Sequence, residues 1–189
     1  NDFELATGFL FSEGVIRHKD DILSISRNKE YDDDSNLENT VLIELNESVN
    51  IDPEKIRNFY INSSCGICGS SMIEGISKIH SKGDHSSHLE IDESILRRLP
   101  ENLKKKQDAF GITGGIHAAA LFGVDGEIHN LFEDVGRHNA LDKLIGYQIN
   151  ENALPLSSFG LMLSGRTSFE LVHKSALAGI PLIVAIGAP

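Results

Sequence analysis

Residues 116–149, IHAAALFGVDGEIHNLFEDVGRHNALDKLIGYQI, decide how this chain folds. The segment 116–122 is an apolar, Ala-rich run of strand length. Val124-Asp125-Gly126-Glu127 supplies hairpin turn chemistry, and 128–132 returns as the partner strand. From 133 to 149 the pattern changes to a helix, with Ala140, Leu141, Leu144 and Ile145 at core spacing. Working outward, 159–163 reads as a strand, 168–178 as a helix and 182–186 as a strand, punctuated by Gly179 and Pro181. Strand, helix, strand, helix, strand at these lengths predicts an α/β layer with a partly parallel, mixed sheet.

The part before residue 101 is organised differently. Asp2 is expected to cap a first helix whose apolar face is Leu5, Phe9 and Leu10, ending near Gly14. Strands follow at 22–26 and 41–45, joined by an acidic connection, Glu30-Tyr31-Asp32-Asp33-Asp34-Ser35. That cluster lacks the glycine and closing glutamate of a calcium loop, so it reads as a solvated hairpin loop. Asp52-Pro53 opens a short helix running to Phe59 or Tyr60, and 72–79 is a short helix or strand. The segment 92–106 is expected as two helical pieces broken at Pro100, with Lys104-Lys105-Lys106 on a solvated face. The chain therefore divides into an N-terminal α+β subdomain (1–62), a flexible cysteine loop with a connecting region (63–100) and an α/β core (101–189).

Positive charge in the core is confined. From Gly111 onward the four basic side chains are Arg137, Lys143, Arg166 and Lys174. They fall at two strand-to-helix junctions, Glu133-Asp134-Val135-Gly136-Arg137-His138-Asn139 and Ser164-Gly165-Arg166-Thr167-Ser168, or on the helices that follow. Junctions after strand carboxyl ends line the ligand crevice of an open α/β sheet. Helix starts there offer free N–H groups to phosphate, and an arginine fork matches it bidentately. Thr113-Gly114-Gly115-Ile116-His117 allows close backbone approach nearby. Against the phosphate reading, Arg137 and Arg166 can be ordinary helix-start residues paired with Glu133, Asp134 or Glu170. Ser164-Gly165-Arg166-Thr167-Ser168 is not a P-loop.

Both cysteines lie in Ser63-Ser64-Cys65-Gly66-Ile67-Cys68-Gly69-Ser70-Ser71, a C-x-x-C pair among glycines and serines. Such composition reads as a mobile, exposed turn rather than core. Thiols at this spacing can share a proton, form a disulfide, hold a metal or pass a sulfur atom. His80, His85 and His88 follow, so the donors of a Cys2His2 zinc site are present, but no zinc-finger strand and helix pattern surrounds them.

The 189 residues suffice for a sizeable core, and 40% hydrophobic with 24% charged residues is ordinary for a globular chain. A net charge of −11 counts against nucleic acid as a partner. Two cysteines make no disulfide framework, and their spacing suggests chemistry in a reducing compartment. No apolar run reaches membrane-spanning length and no signal peptide is visible, so membrane insertion is not expected. The chain opens inside a helical pattern and stops just after a strand-like run, and both ends are expected to continue in a longer protein.

Four segments in order carry a family resemblance. They are Ser64-Cys65-Gly66-Ile67-Cys68-Gly69, Thr113-Gly114-Gly115-Ile116-His117-Ala118-Ala119, Glu133-Asp134-Val135-Gly136-Arg137-His138-Asn139-Ala140-Leu141-Asp142-Lys143 and Ser164-Gly165-Arg166-Thr167-Ser168-Phe169-Glu170. Together with Leu5-Ala6-Thr7-Gly8-Phe9-Leu10 and Ser12-Glu13-Gly14, they resemble the formate dehydrogenase accessory sulfurtransferases, the FdhD family. The resemblance implies a cytidine-deaminase-like core and a cytoplasmic homodimer. It implies transfer of persulfide sulfur from a cysteine desulfurase to the molybdenum or tungsten bis-pyranopterin guanine dinucleotide cofactor of formate dehydrogenase. Cys65 would carry the persulfide and Cys68 would assist. The guanine nucleotide end of that cofactor, a bound substrate, would be held by Thr113, Gly114, Gly115, His117, Arg137, His138, Lys143, Ser164, Gly165, Arg166 and Ser168. No tightly held metal is expected, and no deaminase activity, because no cysteine follows Cys68 to supply a thiolate pair at the helix starts. A homodimer has one independent hint, the apolar segments at 9–11 and 121–122. Two other functions fit the same residues. One is a non-catalytic chaperone for the molybdenum cofactor; the other is a dithiol oxidoreductase, although the x-x pair of the C-x-x-C lacks proline.

Overall fold

The computed structural model describes residues 1–27, 40–51 and 89–187. In chain order these residues form helix α1 (Asp2–Ser12), strands β1 (Ile22–Arg27) and β2 (Val41–Leu45), helices α2 (Glu93–Lys106) and α3 (Asp108–Thr113), and strands β3 (His117–Phe122) and β4 (Ile128–Asp134). Helix α4 (Arg137–Asn150), strand β5 (Gly160–Leu163), helix α5 (Phe169–Leu177) and strand β6 (Leu182–Ala185) complete them. The cysteine turn, the 30–35 loop, the helix expected from Asp52 and the three histidines of 80–88 lie outside the described residues.

The core is a four-stranded mixed sheet in the order β4-β3-β5-β6. Strand β3 is antiparallel to both neighbours, and β6 is parallel to β5 through the α5 crossover. Strands β4, β5 and β6 therefore share a direction, and their carboxyl ends meet the start of β3 on one edge. The apolar run of β3 is explained by cover on both faces. Ala119 and Leu121 pack with Leu141, Leu144 and Ile145 of α4, while Ala118, Ala120 and Phe122 pack with Leu99 and Leu103 of α2. The hairpin expected at 124–127 is present, with Gly126 at φ +79°.

Several expectations need correction. Helix α2 runs unbroken through Pro100. Leu99 and Leu103 on either side are fully buried, and that burial outweighs the hydrogen bond a proline forfeits. The α4 helix begins at Arg137, because Glu133 and Asp134 still belong to β4, where Asp134 pairs with His117. Asn1, not Asp2, is the cap position of α1. The buried face of α1 is Thr7, Gly8 and Ser12 rather than Leu5, Phe9 and Leu10. A Cβ on Gly8 would lie 1.9 Å from the carbonyl oxygen of Asp142, and one on Gly146 would lie 1.9 Å from that of Glu4. Two glycines thus let α1 and α4 meet backbone to backbone, which a hydrophobic-face reading does not foresee. Leu121 and Phe122 are core residues and offer no surface to a second copy.

Strands β1 and β2 form a separate antiparallel pair with a register shift between Ile22 and Ser24. Arg27 pairs with Asp2 and ties this hairpin to α1. Among the described residues no helix is long and apolar enough to cross a membrane.

Candidate functional site

Both junctions singled out in the sequence open on the same sheet edge. At the first, β4 ends at Asp134 and α4 starts after Gly136. Asp134 accepts from the Gly136 N–H at 2.8 Å and from the Lys143 ammonium at 2.5 Å. Burial works to raise the Asp134 carboxyl, but these donors outweigh it and hold the group below the usual aspartate range. Lys143 also donates to the Glu133 carbonyl at 3.2 Å. Glu133 turns away from the junction. Its carboxylate takes the Ala109 N–H at 2.8 Å and the Phe110 N–H at 2.9 Å, satisfying the start of α3. Lys143 is thus at the junction as expected, with its charge already matched.

At the second junction Ser164 is built into the sheet edge, accepting from the Ala118 N–H at 2.7 Å. Ser168 caps α5 by accepting from the Leu171 N–H at 3.3 Å, and its hydroxyl lies 2.9 Å from His138 Nε2. The two junctions interlock around Gly165. A Cβ there would lie 2.9 Å from His117 Nδ1 and 4.0 Å from Arg137 Cδ, so the missing side chain makes room for the His117 ring, with Arg137 in ordinary contact beside it. A Cβ on Gly187, just past β6, would sit 3.2 Å from Arg166 Cγ.

The arginines are the exception to this matched arrangement. Among the described residues neither Arg137 nor Arg166 makes an ion pair, and the buried Nε of Arg137 has no hydrogen-bond partner. The three carboxylates that could have neutralised them are engaged elsewhere: Glu133 with α3, Asp134 with Lys143, and Glu170 with His138 and Lys174. The reading of Arg137 and Arg166 as helix-start residues in local ion pairs therefore fails. Among the described residues, a buried guanidinium N–H without a partner therefore lies beside a helix start that lacks a side-chain cap. Thr113, Gly114 and Gly115 stand at the end of α3 and are exposed. Thr113 donates its hydroxyl to the Ala109 carbonyl at 2.9 Å, and Gly114 closes the helix at φ +66°.

Sequence reasoning missed what lies behind His138. Glu170 approaches its Nε2 at 3.7 Å and the Lys174 ammonium at 3.2 Å. Lys174 bonds Asp142 at 2.5 Å, and Asp142 accepts from Ser12 of α1 at 2.8 Å. Lys174 and Asp142 side chains are each 3% exposed. Burial pushes the Asp142 carboxyl up, while Lys174 and Ser12 pull it down. A signal was available: an aspartate among Ala140, Leu141, Leu144 and Ile145 must find a partner inside the protein.

The FdhD/NarQ family model matches residues 1–189. The chain belongs to the FdhD/NarQ family. It is 39% identical over 194 residues to the sulfur carrier protein FdhD of Mycobacterium bovis, covering all of this chain and 70% of that protein. It is 42% identical over 189 residues to the sulfur carrier protein FdhD of Picrophilus torridus, covering all of this chain and 68% of that one. Among solved structures it is similar to a candidate formate dehydrogenase accessory protein from Desulfotalea psychrophila, with a TM-score of 0.64 and 22% identity. That match covers 98% of this chain and 64% of the other, and shows a shared fold. Within the FdhD/NarQ sequence, the arginine junctions belong to the described core, whereas Cys65 and Cys68 do not.

Proposed function

We propose that this chain carries sulfur to the molybdenum or tungsten bis-pyranopterin guanine dinucleotide cofactor needed by formate dehydrogenase, receiving it as a persulfide from a cysteine desulfurase. Family membership and the relatives named sulfur carriers support a sulfur-transfer role linked to formate dehydrogenase. The observation that carries the cofactor half of the reading is the pair of arginines at two strand-to-helix junctions on one sheet edge, neither in an ion pair among the described residues. Their forks would take the phosphates of the guanine nucleotide, with N–H groups of the α4 start beside them. His117, His138 and Ser168 stand within the same edge. Two helix starts at the carboxyl edge of a mixed sheet also support the deaminase-like description of the core.

Cys65 is assigned as the persulfide carrier and Cys68 as its helper. Attack of the Cys68 thiolate on the inner sulfur of the Cys65 persulfide forms a Cys65–Cys68 disulfide and releases hydrosulfide to the cofactor. The disulfide takes two electrons from a thiol reductant before the next turn. On this reading the chain is a sulfurtransferase, and the cytoplasmic homodimer is what the family resemblance implies.

The test is labelled cysteine with a cysteine desulfurase, read beside GDP binding and thermal melting. Cys65→Ala is expected to abolish sulfur loading and client activation, and Cys68→Ala to impair them less, with GDP binding and melting unchanged. Both variants remaining active would remove the turn from the reaction. GDP binding without any loading would leave a cofactor chaperone, and disulfide cycling without loading an oxidoreductase.

A further inference from the structure

Beyond His138, the chain of polar contacts behind the anion site has no role in the reading above. It runs from His138 to Glu170, Lys174, Asp142 and Ser12 across three helices, and its inner members are buried. Polar groups are placed inside a core at a cost, so a continuous row of them that ends on an imidazole at a ligand site calls for a function.

We propose that His138 is a third cation of the anion site, formed when the ligand arrives, and that Glu170 is the positioning residue that orients its ring and shares the new charge. This rests on the anion reading of Arg137 and Arg166. The geometry supplies both protonation states. Ser168 Oγ accepts from the Leu171 N–H, so its own hydrogen is free to face His138 Nε2 at 2.9 Å. In the neutral ring, Nε2 accepts that hydrogen. When a proton from solvent adds to Nε2, the hydroxyl turns its lone pair to the new N–H, and the Glu170 carboxylate stands 3.7 Å away as counter-charge. Lys174, itself held by the buried Asp142, lies 3.2 Å from the Glu170 carboxylate and favours its place beside the ring.

The charged groups around the ring set the direction. From β3 comes His117, from α5 come Glu170 and Lys174, and from its own helix comes Arg137. Burial holds His138 below the usual histidine range; Glu170 opposes this, and Arg137, Lys174 and His117 add to the lowering. Without an anion the ring is therefore neutral near pH 7. An anion between Arg137 and Arg166 cancels the neighbouring positive field and favours the imidazolium. By linkage, anion affinity is full below the free-state pKa and declines as pH rises through the bound-state pKa.

The test is NMR of the histidine rings in the full chain from pH 5 to 8, without and with saturating GDP. The ring signal reads His138 directly, so ionisation of the GDP phosphate, near pH 6, is not mistaken for it. The expected result is a His138 midpoint raised by about one unit with GDP, matched by up to about sixfold tighter binding at pH 6 than at pH 8 once GDP phosphate ionisation is corrected for. Glu170→Gln should lower the bound-state midpoint and flatten the binding profile, and Glu170→Asp should restore part of both. If GDP binds and the His138 midpoint does not move, or only His117 moves, this inference is overturned while the anion site stands. Absence of GDP binding at every pH overturns both. The wild-type titration decides even if a Glu170 variant fails to fold.

Discussion

At the end of β4 the chain enters α4 through Gly136, a cap position with no side-chain hydrogen bond, and no acidic residue follows in the first turn. At the end of β5 it enters α5 through Ser168, whose hydroxyl caps the helix, and Glu170 sits in the first turn. At the first start Asp134 takes the Gly136 N–H, no side chain caps the N–H groups that follow, and among the described residues Arg137 makes no ion pair. The second start is satisfied internally, and its side chains hold His138 and reach the buried Lys174–Asp142 pair. On the proposed reading, the first junction receives the anion and the second supports it. Two similar-looking arginine motifs therefore contribute to one site in different ways.

The largest effect should separate the supports of the two junctions. Lys174→Met removes the cation of a pair 3% exposed on both sides and is expected to cost about 3–5 kcal/mol in denaturant unfolding. Lys143→Met at the first junction removes a partner of Asp134 that is 13% exposed, and about 1.5–2.5 kcal/mol is expected. Equal losses would mean that the second junction has no deeper anchor than the first.

Next come the arginines. Arg137→Ala and Arg166→Ala should each weaken GDP binding by roughly 1.5–3 kcal/mol in calorimetry, the scale of charge-assisted hydrogen bonds. Neither should lower stability, since neither side chain holds an ion pair among the described residues. Unchanged GDP affinity in both variants would return these arginines to a purely local role.

The caps should then divide binding from stability. Ser168→Ala is expected to cost about 1 kcal/mol of stability by removing a side-chain cap. Gly136→Asp should leave stability within about 0.5 kcal/mol, because aspartate and glycine caps differ little. It should nevertheless cut GDP affinity roughly tenfold by placing a carboxylate where the anion goes. The reverse pattern would break the contrast between an open and a closed helix start.

The smallest expected effect is at acid pH. Asp134 titrates lower in the folded protein than in the unfolded chain, so its contribution is complete above about pH 4, the unfolded value. It is lost as pH falls through the lower folded value. Lys143→Met should shrink that part of the pH–stability curve, whereas Arg137→Ala should leave it unchanged.

Local pattern determined much of this molecule. The apolar run of β3, the turn chemistry at 124–127 and the core spacing of α4 follow from neighbouring residues, and so their elements were legible in sequence. So were the two arginines, because a strand-to-helix junction and its cation are written within a few positions of each other. What tertiary structure alone decided is who partners whom. Lys143, not an arginine, neutralises Asp134. Glu133 satisfies a helix that precedes it by more than twenty residues. Ser12 meets Asp142 across a separation of 130 residues, through a helix contact that two glycines permit. Periodicity reports which face of an element is apolar. It does not report which distant carboxylate reaches which cation first, and that competition left Arg137 and Arg166 without an ion-pair partner among the described residues.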